Sequence, residues 1–123
     1  MDIFTVLEHF KIMAGLTDED AVREIPLCAI ALAKLMTRLD YGVDVNKNAT
    51  VLNAAAASDA YYNYILSLAT RENTSTFSAG DVTVKQDHKN AIAAAKELRD
   101  NCEEAVAHLL ADRIFAVSAV ETI

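Results

Sequence analysis

The sequence predicts an all-α protein, a compact bundle of three long helices and one shorter helix with a small β-hairpin and an extended C-terminal tail. Three observations predict it. Apolar residues recur at spacings of three and four along most of the chain, the period of a helix with one buried face. Helix breakers are few, with three glycines and one proline in 123 residues. Residues 48–70, NATVLNAAAASDAYYNYILSLAT, join an alanine run to the bulk of Tyr61, Tyr62, Tyr64, Ile65 and Leu66. Alanine is the strongest helix former. A helix apolar on most of its faces is the buried, central one, and the other elements are arranged around it.

The first element spans residues 2–14, where Ile3, Val6, Leu7, Phe10, Met13 and Ala14 keep helical spacing and Gly15 supplies a stop. Thr17 offers an N-cap to a short helix over 18–24, and Asp18, Glu19 and Asp20 suit the positive end of its dipole. Pro26 disfavours helix at the residue before it but fits a first turn. A longer helix therefore covers 26–39, with Cys28, Ala31, Leu32, Leu35 and Leu39 as its apolar stripe, Met36 beside it, and Lys34 and Arg38 facing out. Residues 40–47 mix turn formers with valines and read as a loop.

After the central helix, a Thr-, Ser- and Asn-rich stretch leads to Phe77, Gly80 and Asp81, then Val82-Thr83-Val84. The glycine suggests a turn and the β-branched run a short strand, giving a hairpin over 75–85. Asp87 then caps the last long helix, which runs to about Ala111 with Ile92, Ala95, Leu98, Cys102, Val106 and Leu109 on one face. Residues 114–120, IFAVSAV, carrying Phe115 and Val117, are expected to lie extended as a tail. No internal repeat or linker divides the chain, so residues 1–123 form a single helical domain, within the usual size of roughly 100–150 residues.

Composition excludes several functions. Eleven basic against 18 acidic residues give a net charge of −7, which opposes a phosphate-binding face, and no specific nucleic acid is expected as partner. No uncharged run approaches the roughly 18–20 residues of a bilayer span, so no membrane is expected. The opening MDIFTVLEHF has no basic region of a signal peptide, and a cytoplasmic product is expected. Cys28 and Cys102 fall on apolar stripes and read as buried, reduced thiols.

The catalytic inventory is thin. Glu104 and His108 share a helical face without the paired Glu-x-x-His motifs and extra inward acids of a carboxylate-bridged metal site, and they read as a surface pair. Neither cysteine has a base placed by a motif, no serine sits in G-x-S-x-G, and the lone Gly80 makes no phosphate loop. Asp59, a single charge in the alanine-rich stretch, is expected on its exposed back face. No catalytic residue, metal or cofactor is expected, and the chain is not expected to be an enzyme. Tyr61, Tyr62 and Tyr64 have one cation nearby, Arg71, which suits packing and a protein interface better than base stacking.

The order TDEDAVREIPLC, AAAASDAYYNYIL, TSTFSAGDVTV and then a long amphipathic helix closing on LLADRIFAVSAV resembles the head-tail connector, or neck, proteins of tailed phages and prophages of low-GC Gram-positive bacteria. The likeness covers residues 18–120 and rests on feature order and composition. It implies a non-enzymatic structural protein of the virion, made in the host cytoplasm, that joins a ring beneath the portal and meets tail-completion components. The interface positions it suggests, beside Tyr61 and Tyr64, are Phe77, Gly80, Asp81, Val82, Val84, Phe115 and Val117. Two other readings stay open, a cytoplasmic helical adaptor or assembly chaperone, and a helical-bundle enzyme in which Asp59, Cys102, Glu104 and His108 converge.

Overall fold

The computed structural model describes residues 1–73 and 81–111. Within them the chain is mostly helical, with α1 (Ile3–Ala14), α2 (Asp18–Val22), α3 (Ile25–Arg38), α4 (Ala49–Asn73) and α5 (Asp81–Val106), then a 3-10 turn over Ala107–Leu109. α1, α3 and α5 all pack on α4, and α1 also packs on α3. The described β structure is one isolated antiparallel bridge, Leu39 to Leu110, beside which the Asp40 N–H donates to the Leu109 carbonyl at 2.8 Å.

Local chemistry accounts for the helix ends. The Asp2 carboxylate accepts from the Phe4 N–H at 3.3 Å and from the Thr5 hydroxyl at 3.1 Å, capping α1. Gly15, at φ +66°, donates to the Ile12 carbonyl, and Leu16 donates to that of Lys11. These two bonds form a Schellman motif, which needs the left-handed conformation glycine adopts most easily. Thr17 accepts from the Asp20 N–H at 3.2 Å and starts α2. Pro26 lies in the first turn of α3, where its missing N–H has no intrahelical partner to lose.

The core is built from Val6 and Phe10 of α1, Cys28, Ala31 and Leu35 of α3, Leu52 and Ala55, Ala56, Ala57 and Ala60 of α4, and Val106, Leu109 and Leu110. The alanines let the neighbouring backbones approach α4 closely, while Phe10 and Leu52, both fully buried, fill the wider gaps. Two buried polar side chains are hydrogen-bonded within the bundle. Ser58 donates to the Ala55 carbonyl at 2.8 Å, and Asn53 accepts from the Asp2 N–H at 3.3 Å, tying the start of the chain to α4.

Three expectations are corrected. Asp81, Val82, Thr83 and Val84 belong to the first turn of α5, so the strand assigned to them is not seen. The β-branched residues cost only about half a kcal/mol each in a helix, and an isolated two-stranded hairpin has little stability to set against 26 residues of helix. The rest of the hairpin, residues 75–80 with Phe77 and Gly80, lies outside the described residues. Asp87 is not a cap but sits within α5, which starts six residues earlier at Asp81. That helix also ends before Ala111, at Val106, and the backbone tightens into the 3-10 turn before extending at Leu110. The tail, with Phe115 and Val117, lies outside the described residues.

Candidate interaction face and charged cleft

α3 presents two different surfaces. Cys28, Ala31 and Leu35 face the core, whereas Pro26, Ala29, Ile30, Ala33, Met36 and Thr37 recur on the opposite side and are all exposed. Ile30 is 58% and Met36 56% exposed, more than a single stray apolar residue explains. The helix IPLCAIALAKLMTR holds no aspartate or glutamate, in a chain of net charge −7. α1 carries a second outward apolar row, Phe4 and Ile12, with Glu8 between them at four-residue spacing.

Between α3, α4 and α5 lies a cleft of about 300 Å³. Ala31, Leu35, Ala55 and Ala56 give it apolar walls, and Lys34, Arg38, Asp59, Arg99 and Glu103 supply its charges. Lys34 Nζ meets Asp59 Oδ2 at 3.1 Å, bracing α3 against α4, and Arg38 meets Glu103, bracing α3 against α5. Asp59 is thus half-buried in the cleft wall and not on an exposed back face. The Arg99 guanidinium lies over the Tyr62 ring, 4.3 Å from its centroid, and its Nη2 reaches Asp100 Oδ1 at 3.3 Å. Arg99 Nε is buried and has no hydrogen-bond partner among the described residues.

Tyr61 and Tyr64 serve packing. Both are half-buried against the core, and Tyr64 meets the Phe10 ring edge-on, centroids 5.5 Å apart. Burial, with Glu24 next in importance, raises the Tyr64 phenol above its usual value. Burial likewise pushes the Cys28 thiol up to about 11, again with help from Glu24. That thiol is neutral at ordinary pH and a poor nucleophile. Cys102 is half-buried and, like Cys28, unbridged. Glu104 and His108 are both exposed, while Asp59 lines the cleft, so the four residues an enzyme reading needs are not gathered at one pocket. No group of three or more His, Cys, Asp or Glu side chains able to hold a metal occurs among the described residues. No described helix is long and apolar enough to cross a membrane.

Of the nine interface positions suggested by the sequence, the structure places Tyr61 and Tyr64 on α4 and Asp81, Val82 and Val84 in the first turn of α5. Phe77, Gly80, Phe115 and Val117 lie outside the described residues. Sequence reasoning missed the outward row of α3. Its signal was present, since Pro26, Ala29, Ile30, Ala33 and Met36 are apolar on the side opposite the stripe. The cleft had no such signal, because its ion pairs join residues 25 and 65 positions apart. No family model, curated protein or solved structure matches this chain.

Proposed function

We propose that the protein is a non-enzymatic structural component of a phage or prophage virion, connecting the portal of the head to the tail as one copy in an oligomeric ring. The observation that supports this reading is the acid-free, apolar outward face of α3. Copies carrying −7 repel one another over most of their surfaces. A second copy meets least repulsion on the face without acids, and Ile30, Ala33 and Met36 reward the approach by burial. The outward row of α1 is the counter-surface, with Phe4 and Ile12 against the α3 row. Two different patches meeting in this way make a heterologous contact, which closes into a ring when its rotation permits. A compact helical bundle serves as the rigid wedge of such a ring.

The test has two parts. Quantitative mass spectrometry of nuclease-treated, density-purified particles from an induced culture of the source strain should find the chain at a fixed, ring-like ratio to the portal. Absence from particles with abundance in the lysate would sink the virion reading and favour a cytoplasmic adaptor or assembly chaperone. Native mass spectrometry of the purified chain should show closed oligomers that Ile30→Glu or Phe4→Lys reduces to monomer, each with an unchanged helical circular dichroism spectrum. Oligomers that survive both substitutions would rule out the α3-to-α1 contact.

A further inference from the structure

The cleft inverts the charge of the chain around it. Acids outnumber bases 18 to 11 in the sequence, yet the cleft is lined by three cations, Lys34, Arg38 and Arg99, against two anions, Asp59 and Glu103. Both anions are engaged, Asp59 by Lys34 and Glu103 by Arg38. Arg99 is therefore the cation whose charge the cleft itself leaves unmatched. Its acidic contact is Asp100, a neighbour in sequence whose side chain is 53% exposed and does not line the cleft.

Arg99 is also held in place. Stacking on Tyr62 fixes the plane of the guanidinium, so less freedom is lost when it grips a planar anion. Its buried Nε lacks an acceptor, and a buried N–H left unpaired costs about 1–3 kcal/mol. A carboxylate in the cleft, which Arg99 lines, would supply an acceptor to the guanidinium in a charge-assisted contact. The remaining lining is apolar, Ala31, Leu35, Ala55 and Ala56, and suits a hydrocarbon body. At about 300 Å³ the space is at the lower end for small-molecule sites.

We propose that the α3/α4/α5 cleft binds a small amphipathic monocarboxylate, its carboxylate on Arg99 and its apolar body against Ala31, Leu35, Ala55 and Ala56. This site is separate from the outward face of α3 and stands whether or not the chain assembles into rings. The probe is n-hexanoate, added to uniformly ¹⁵N-labelled full-length protein and followed by NMR, with acetate supplying the head group alone and 1-hexanol the body alone. Hexanoate should produce saturable shifts of the Arg99 Nε–H signal and of the Ala31 and Ala55 amides, at concentrations at least tenfold below those needed with either control. Arg99→Gln should weaken hexanoate at least tenfold and leave 1-hexanol unchanged, and Arg99→Lys should recover only part of the loss. Three results would overturn the proposal: no saturable shift with hexanoate, equal hexanoate binding by Arg99→Gln, or acetate binding as tightly as hexanoate.

Discussion

Cys28, Tyr64 and Lys11 all titrate above their usual values, and the causes differ. Burial raises the first two, while Lys11 is raised first by its hydrogen bond to the Asp18 carboxylate. The direction of each shift has the same consequence for stability. A group whose folded value lies above its unfolded one contributes fully below the unfolded value, and the contribution is lost as pH rises through the folded value. For Cys28 that window opens near the unfolded thiol value of about 8.5 and extends to about 11. The melting temperature should therefore fall steadily from pH 8.5 to 11, and Cys28→Ala should flatten part of the slope while lowering the plateau. Parallel slopes for the two proteins across that range would show that the thiol does not contribute. Its burial was legible in the spacing of Cys28, Ala31 and Leu35, whereas the nearby Glu24 that adds to the shift was not singled out.

At the scale of single elements, the corner between α1 and α2 depends on Gly15. No atom lies within 4 Å of where a Cβ would stand, so replacement meets no clash and only the positive φ opposes it. Gly15→Ala should cost about 1 kcal/mol by urea denaturation, and a loss above about 3 kcal/mol would point to packing instead. The starts of the first helices were readable because each signal lies within a turn of the boundary, as with Thr17 and Pro26. The start of α5 was not, for two physical reasons. Val82, Thr83 and Val84 form a strand only when another strand pairs with them, and local spacing does not encode that pairing. Cap chemistry is also degenerate, since an aspartate such as Asp87 suits an N-cap and also occurs within a helix. Its end was overrun because Ala107, His108 and Leu109 continue the apolar spacing without glycine or proline to announce a tighter turn. The cleft arises from α3, α4 and α5 together, and no local spacing encodes which lysine meets which aspartate.

For the whole molecule, α5 is held chiefly by α4, and its far end is fastened by a small set of contacts around Leu110. Leu110 is 2% exposed, bridges Leu39, and lies next to Leu109, whose carbonyl accepts from Asp40. Leu110→Ala should cost about 2–5 kcal/mol, the range for a buried leucine whose cavity does not collapse. Hydrogen exchange should then quicken in α5 more than in α1, which is held independently by the Asp2–Asn53 bond and by α3. Equal quickening of both helices would mean that the molecule opens only as one unit.

The alanine seam of α4 bears on how this protein can change over time. Where backbones touch through methyl groups, a larger side chain has nowhere to go without moving a whole neighbouring helix. Positions 57 and 60, both fully buried, can therefore drift only among alanine, glycine and serine, whereas 55 and 56 open on the cleft. The outward rows of α1 and α3 carry no such steric restriction and are free to follow whatever meets them. Descendants of this chain should keep its interior as a run of small residues while their exteriors diverge, so that kinship is written in the absence of side-chain volume.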